Sequence, residues 1–340
     1  MEFEKYFLPF YSIDKIFKRF IISFKVMFML ITILIVVAAI IILISAAAGW
    51  AFCTAFVRRK KKPKKDAVTG SIAEALKPYA EDIKNGMAYA DSLNPERVYT
   101  YSYDGLKLAA SLYGGDSNAT IITFHGYRSP AKRDYSCAIK MYHDMGFNVL
   151  LIDHRSHGES EGKLITYGIK ERFDAVKWVD FLINRFGTDH EVFFSGISMG
   201  AATVMMASDV GLPKNVKGIV ADSGYSSPTD IIGNVAENTF HISRKLAMAL
   251  LEPMCRIFGK FSLYETSALK ALETNTIPML FIHGKADTLV PYEMSVECYN
   301  TAKCKKEIVL IDGAEHGCGY MEQKEYVRDK LQAFFDECRR

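Results

Sequence analysis

The hydrophobic and polar residues of this chain separate a long apolar stretch near the N-terminus from a region of many short apolar runs. From Val26 to Val57, 32 consecutive residues carry no charge, and most are Ile, Leu, Val, Ala, Phe or Met. A helix of about 20 residues crosses the hydrocarbon core of a bilayer, so this stretch is long enough to span it. It is too long for the apolar core of a signal peptide. The pattern therefore predicts one transmembrane helix over residues 26–57.

A cluster of basic residues follows the apolar stretch. Seven of the eight residues from Arg58 to Lys65 are Arg or Lys, whereas residues 1–25 carry five basic and three acidic residues. Because the more basic flank of a span tends to stay in the cytoplasm, the large C-terminal part is expected to be cytoplasmic. The cluster adjoins an apolar stretch and does not spread over a folded face. It therefore indicates contact with anionic lipid and argues against nucleic-acid binding.

Two segments beside the apolar stretch have weaker patterns. Residues 1–25 contain several aromatic residues at irregular helical spacing. This favours a stretch at the membrane interface, with a disordered tail as the alternative. Between Asp66 and Pro95, apolar residues recur every three or four positions, which predicts a surface helix in a juxtamembrane segment and linker of residues 58–94.

Beyond residue 95, compact apolar runs alternate with amphipathic stretches. Two runs separated by Asp104-Gly105 predict an antiparallel hairpin, and six further runs of four or five residues are typical of strands buried on both faces. We predict strands at residues 98–103, 106–113, 120–124, 148–152, 192–195, 217–221, 278–282 and 307–311, and helices at 131–145, 170–186, 199–210, 294–303 and 324–338. This alternation predicts an α/β domain over residues 95–340, with a mostly parallel, doubly wound sheet of eight strands.

One interval interrupts the alternation. More than fifty residues separate Ser223 from Pro278, and the sequence 234–261 is mostly helical in pattern. We predict a helical cap inserted at about residues 225–275, in which Pro253 kinks or breaks a helix. The apolar stripe of this cap is expected to pack against the core; it consists of Leu246, Leu250, Met254 and Ile257.

Charge and cysteine content exclude several other classes of protein. The formal net charge is only +3, and much of the basic excess lies in the cluster after the apolar stretch. The seven cysteines are odd in number, widely spaced and without a Cys-x-x-Cys pair. Neither a disulfide scaffold nor a zinc site is predicted, and the thiols outside the apolar stretch are expected to be reduced.

The pentapeptide Gly196-Ile197-Ser198-Met199-Gly200 is the strongest chemical signal in the chain. It directly follows a predicted buried strand and opens a predicted helix. Such a sharp turn holds Ser198 in a strained conformation with its hydroxyl exposed, and a side chain at Gly196 or Gly200 would collide with neighbouring elements. The backbone N–H of Met199 lies at a helix N-terminus, where it can help to stabilise an oxyanion. Ser198 is therefore the candidate nucleophile.

A serine nucleophile needs a histidine base and an acid that orients it. His316 follows the last predicted strand, and Asp287 follows the strand before it. Serine, acid and histidine thus occur in the chain order that this sheet topology requires. The second oxyanion donor is expected to be the backbone N–H of Tyr127, in the loop after the third strand, where Gly126 allows the chain to turn.

These motifs resemble the α/β-hydrolase superfamily over roughly residues 95–338. The octapeptide Asp-His-Arg-Ser-His-Gly-Glu-Ser at 153–160 and the His-Gly-Tyr loop are similar to those of membrane-anchored α/β-hydrolase-domain proteins and bacterial serine hydrolases. A looser similarity extends to acetyl xylan esterases and cephalosporin-C deacetylases. The resemblance implies a Ser198, Asp287 and His316 triad. Asp222, after the sixth strand, is the alternative acid, since some members of this fold place it there. The octapeptide is expected to brace the loop after the fourth strand.

The motifs and the resemblance together predict a membrane-anchored serine hydrolase that cleaves a carboxylic ester, of a small or lipid-like molecule, through an acyl-enzyme. This chemistry requires no metal and no organic cofactor. An aminopeptidase, amidase or thioesterase on the same fold is the alternative, because the pocket sets the leaving group. A non-catalytic membrane-anchored scaffold is a third interpretation, against which the complete set of three residue types argues.

Overall fold

The N-terminal part of the protein is one long helix. The structure is a computed structural model and describes residues 10–59 and 71–339. Helix α1 spans Phe10–Phe56, and its segment Lys15–Phe56 is long and apolar enough to cross a membrane. Most of its large apolar side chains between Ile16 and Trp50 are exposed, unlike those of a buried core helix. The helix begins 16 residues before the predicted span, which starts at Val26, so residues 10–25 are helical as well. Residues 1–9 lie outside the described residues.

The described chain divides into two compact units between Cys53 and Thr54. The second unit is built on one sheet of eight strands in the order β1-β2-β4-β3-β5-β6-β7-β8. The pairs β1·β2 and β2·β4 are antiparallel and all other neighbours are parallel. The strands are β1 Glu96–Tyr101, β2 Lys107–Tyr113, β3 Ala119–Phe124, β4 Asn148–Asp153, β5 Glu191–Ile197, β6 Val216–Asp222, β7 Met279–Gly284 and β8 Lys306–Ile311. The predicted mostly parallel, doubly wound sheet is confirmed.

The central strands are buried on both faces because helices cover the sheet. Every residue of β3 and of β7 is buried, as their continuous apolar sequences predict. The helices of this unit, apart from those between β6 and β7, are α2 Ser71–Leu76, α3 Ala80–Ser92, α4 Ala131–Asp134, α5 Ser136–Asp144, α6 Glu171–Phe186, α7 Met199–Ala207, α11 Glu293–Thr301, α12 Gly319–Glu322 and α13 Lys324–Cys338.

One predicted helix is divided in two. The pattern over residues 131–145 predicts a continuous helix, but α4 and α5 are separated at Tyr135, which lies outside the helical region with φ −105° and ψ 7°. The buried phenol of Tyr135 donates a hydrogen bond to the carbonyl oxygen of Ser195 at 2.6 Å. This break therefore directs a polar side chain to the end of β5.

The interval between β6 and β7 contains the predicted helical insertion. It comprises α8 Pro228–Phe240, α9 Arg244–Met254, a π-helical turn Cys255–Gly259 and α10 Ala268–Leu272. Pro253 lies one residue before the end of α9, where the α-helical pattern passes into the π-helical turn. A proline removes a hydrogen-bond donor from the helix, which accounts for this change.

The prediction of which apolar residues of the insertion are buried is wrong. Leu246 and Ile257 are exposed, and Leu250 and Met254 are only half-buried. The buried positions of this segment are instead Ala247, Met248, Leu251 and Cys255. Apolar side chains surround α9 on several sides, so hydrophobicity alone leaves open which side faces inward.

A pair of leucines on α9 tests this orientation. Leu251 is 6% exposed and Leu246 is 51% exposed. We expect Leu251→Ala to lower the free energy of unfolding by about 2 to 5 kcal/mol, and Leu246→Ala to lower it by about 1 kcal/mol or less. Equilibrium denaturation of the full chain in detergent measures both values. A larger loss for Leu246→Ala would contradict the orientation.

Candidate active site

Ser198 occupies the sharp turn between β5 and α7. Its backbone has φ 57° and ψ −116°, a conformation that is strained for a residue with a side chain. The backbone N–H of Ser198 donates to the carbonyl oxygen of Asp222, at the end of β6, at 2.8 Å. This bond ties the turn to the neighbouring strand.

The two glycines of the turn leave no room for a side chain. A Cβ atom at Gly196 would overlap the backbone of Gly200, and one at Gly200 would overlap the carbonyl group of Phe124 at the end of β3. Close approach of the chain on both sides of Ser198 is therefore possible only with glycine. This is the constraint that the pentapeptide predicts.

His316 and Asp287 are brought together at the carboxyl ends of β8 and β7. The distance from His316 Nδ1 to Asp287 Oδ2 is 2.6 Å. The other oxygen of Asp287 accepts hydrogen bonds from the backbone N–H groups of Leu289, at 2.9 Å, and Val290, at 2.8 Å. Both side chains of the pair are buried, so water competes little for these bonds.

His283, in β7, is a further partner of Asp287 that the sequence motifs do not predict. Its Nε2 lies 3.1 Å from Asp287 Oδ2 and 2.9 Å from the carbonyl oxygen of Val290. Burial opposes the charge on Asp287, but the hydrogen bonds of His283 and His316 outweigh it and hold its pKa well below the usual range. Asp287 is therefore a carboxylate at neutral pH.

Asp222 does not contact His316 among the hydrogen bonds of residues 71–339. Its Oδ1 accepts a hydrogen bond from Ser223 Oγ at 2.9 Å, and burial raises its pKa. Asp287 thus holds the position beside His316 that an orienting acid requires.

A cavity of about 150 Å³ joins Ser198 to His316. An apolar cavity of about this size holds a molecule such as benzene. Gly126, Tyr127 and Asp222 also line it near Ser198. Its apolar wall includes Leu76, Ile83, Met141, Met321, Val327 and Leu331. The cavity can therefore accommodate a small apolar group next to Ser198.

The loop after β3 carries the second expected oxyanion donor. The N–H of Gly126 donates to Asp134 Oδ2 at 2.9 Å, and that of Arg128 donates to His157 Nε2 at 3.1 Å. Between them, the N–H of Tyr127 has no acceptor within residues 71–339 of the described chain. The N–H of Met199 is at the first position of α7 and has no acceptor within that helix. Within the described residues 71–339 both donors are thus unpaired; Tyr127 lines the cavity, and Met199 directly follows Ser198.

The octapeptide after β4 supports this same loop. His157 Nδ1 donates to the carbonyl oxygen of Arg155 at 3.0 Å, which leaves Nε2 as the acceptor for Arg128. Burial holds the pKa of His157 well below its usual value, so the ring stays neutral. Arg155 is fixed by ion pairs to Asp174, at 2.6 Å, and Asp104, at 3.0 Å. The sequence predicts that the octapeptide braces its own loop; its bond to Arg128 joins loops that are distant in the sequence and is not predicted.

Known proteins resemble this chain in sequence and in structure. Residues 115–251 match the family model described as serine aminopeptidase S33. YqkD of Bacillus subtilis is 26% identical over 241 residues, which cover 70% of this chain and 77% of YqkD. ABHD12B of Homo sapiens is 24% identical, covering 59% and 56% of the two chains. The esterase Pf2001 of Pyrococcus furiosus superposes with a TM-score of 0.57 and 26% identity, covering 73% and 94%. The family match lies wholly within the unit that contains the cavity.

Two glycine substitutions test the close packing of the turn. Gly200→Ala places a methyl group against the Phe124 carbonyl group, so we expect a loss of about 1 to 3 kcal/mol in the free energy of unfolding, or more. Gly115→Ala is the matched control, because its Cβ would meet nothing within 4 Å. The control is expected to change stability by no more than about 0.5 kcal/mol. Equal unfolding midpoints for the two variants would contradict this packing.

Proposed function

Since this chain belongs to the α/β-hydrolase superfamily, we propose that it is a serine hydrolase that cleaves carboxylic esters and is anchored in a membrane by α1. The observation that carries the proposal is the convergence of three features at one cavity. These are the strained serine between two close-packed glycines, a histidine paired with a buried carboxylate, and two backbone N–H groups that have no acceptor within the described residues 71–339.

In the proposed reaction, Ser198 Oγ attacks the ester carbonyl carbon while His316 Nε2 accepts its proton. Asp287 accepts a hydrogen bond from the Nδ1–H of His316. This bond fixes the tautomer of the imidazole and stabilises the imidazolium ion that forms. The N–H groups of Tyr127 and Met199 stabilise the negative oxygen of the tetrahedral intermediate, and each such donor contributes roughly 10²- to 10³-fold to kcat. His316 then returns the proton to the leaving alcohol. A water molecule then attacks the acyl-enzyme while His316 accepts its proton. The carboxylic acid is released, and the proton returns to Ser198.

The choice of an ester rests on the site and on one comparison. The structurally similar Pf2001 is an esterase, and the proposed site needs no further group to expel an alcohol. The cavity is small and largely apolar, which favours acyl groups from acetyl to butyryl. An aminopeptidase or amidase is the second candidate, because the matching family model is described as a serine aminopeptidase.

Labelling with a fluorophosphonate probe tests the nucleophile. The wild-type protein is expected to be labelled and to hydrolyse p-nitrophenyl esters, with the highest kcat/KM between acetyl and butyryl. Ser198→Ala is expected to lose labelling and at least about 10³-fold of kcat/KM. Ser208→Ala is the matched control, since Ser208 lies at the opposite end of α7 and bonds only to the carbonyl oxygen of Met205 within the described chain.

Labelling that persists in Ser198→Ala would eliminate Ser198 as the nucleophile. A folded wild-type protein that is neither labelled nor active would favour the scaffold interpretation. A rate that rises steadily to long acyl chains would instead favour a lipid-like substrate, and faster cleavage of aminoacyl amides than of esters would favour the aminopeptidase.

A pair of aspartate substitutions tests the orienting acid. Asp287→Asn removes the carboxylate that accepts the His316 Nδ1 hydrogen, so kcat is expected to fall by roughly 10³- to 10⁴-fold. Asp222→Asn keeps the shape of a side chain that does not contact His316, and kcat is expected to stay within about tenfold of the wild-type value. Steady-state hydrolysis of p-nitrophenyl acetate measures both. The opposite order of effects would assign the acid to Asp222.

Alkaline carbonate extraction of membranes tests the anchor. An integral helix stays in the membrane pellet, because removing its apolar side chains into water is highly unfavourable. We expect the full chain to remain in the pellet and, from the basic cluster after α1, the catalytic unit to be protected from protease in intact cells. Release by carbonate would contradict the anchor, and digestion in intact cells would contradict the orientation.

A further inference from the structure

The end of α1 belongs to the unit that holds the active site. The boundary between the two compact units lies between Cys53 and Thr54, so the last turn of the helix and the two residues after it fall in the second unit. We name these residues, Thr54–Arg58, the clamp segment. Most of its apolar burial comes from Phe56, which is completely buried. Its ring centroid lies 5.4 Å from that of Tyr167 and 5.7 Å from that of Phe261.

The clamp segment is also fixed through its backbone. Val57 pairs with Leu164 in an antiparallel β-bridge. On either side of this bridge, the N–H of Ile165 donates to the carbonyl oxygen of Phe56 at 2.7 Å, and that of Arg58 donates to the carbonyl oxygen of Lys163 at 2.8 Å. A flexible tether would require neither these bonds nor a buried phenylalanine.

Side chains of the oxyanion loop, Gly126–Arg128, bind the carbonyl groups of the clamp segment. Arg128 Nη2 donates to the carbonyl oxygens of Thr54 and Val57, each at 2.8 Å. The phenol of Tyr127 donates to the carbonyl oxygen of Ala55 at 2.7 Å. The last carbonyl groups of a helix have no partners within the helix and carry partial negative charge. The Arg128 guanidinium therefore caps the end of α1 and is held by it.

The contacts of Tyr127 and Arg128 with the clamp segment adjoin the backbone N–H of Tyr127. Arg128 has φ 54°, a left-handed conformation that a residue with a side chain adopts only when its surroundings hold it there. Its N–H bonds to His157, and Arg58 of the clamp segment donates to the carbonyl oxygens of Gly158 and Ser160, each at 2.6 Å. The segment thus supports the oxyanion loop directly through Tyr127 and Arg128, and indirectly through the loop that carries His157.

We propose that the clamp segment is a positioning element of the active site, which holds the Tyr127 backbone N–H where the oxyanion forms. This inference rests on the proposed hydrolase function and adds Phe56 and Arg128 as positioning residues. The end of the anchor helix then contributes to turnover itself, including turnover of soluble substrates, in addition to any role in location.

The first test uses Phe56→Ala in the full chain, with a soluble p-nitrophenyl ester as substrate. Misplacing a catalytic group by about 1 Å costs about 10²-fold. We expect kcat to fall by roughly 10- to 100-fold while KM changes by less than about threefold, since the donor acts mainly in the transition state. Binding of a trifluoromethyl ketone, which forms an oxyanion adduct with serine hydrolases, should weaken by the same factor as kcat. Phe56→Leu should recover most of both.

The matched control is Phe147→Ala. Phe147 is also buried, but it packs against Phe193 and Phe335 just before β4, at the amino end of the strands. We expect it to lower thermal stability while leaving kcat per folded molecule within about twofold of the wild-type value.

Tyr127→Phe provides a second route if Phe56→Ala does not fold. It removes the bond to Ala55 and keeps the backbone donor, and we expect a roughly 3- to 30-fold loss of kcat with little change in KM. The proposal is overturned if these variants keep kcat within twofold of the wild-type value, or if Phe147→Ala loses kcat equally. Variants that keep full activity would refute the positioning role of the clamp segment and leave the hydrolase function standing. A wild-type protein without hydrolysis or fluorophosphonate labelling would refute the hydrolase function, and the clamp with it.

Discussion

The close approach of three strand ends around Ser198 is the constraint on which the rest of this structure depends. A residue with φ 57° reverses β5 into α7, and its neighbours have no space for side chains because Gly196 and Gly200 pack against each other and against Phe124. The Ser198 N–H is bound to the end of β6. The hydroxyl group is therefore held at the carboxyl edge of the sheet, where the loops after β3, β7 and β8 also converge.

The charge of each polar group around this turn is set by its burial and by its hydrogen-bond partners. Asp287 is taken out of water but receives hydrogen bonds on both oxygens, which keeps it charged. His157 is kept neutral by burial, and this leaves it able to accept the N–H of Arg128. Asp287 is charged and His157 is neutral for the same reason, because a buried group keeps its charge only where partners compensate for lost hydration. Among the described residues 71–339, the backbone N–H groups of Tyr127 and Met199 have no acceptor, and we propose that they stabilise the negative charge that develops on the substrate.

The elements that the sequence predicts well are those determined by local patterns. Continuous apolar runs predict strands such as β3 and β7, and the glycines at 196 and 200 predict the turn. Contacts between distant segments were not predictable. The inward face of α9 depends on what packs against it, and the second bond of Asp287 depends on where β7 places His283. The sequence pattern places Phe56 in an apolar helix and gives no sign of its partners. Its ring packs against Tyr167 and Phe261, which are more than a hundred residues away in the chain.

The proposed mechanism requires that turnover proceed through an acyl group on Ser198. The most direct measurement is acid quenching of the full chain during steady-state hydrolysis of p-nitrophenyl butyrate, followed by mass spectrometry of its peptides. We expect a butyryl group on the peptide containing Ser198, attached at that residue and absent before substrate is added. Rapid hydrolysis with a butyryl group on another residue would contradict it.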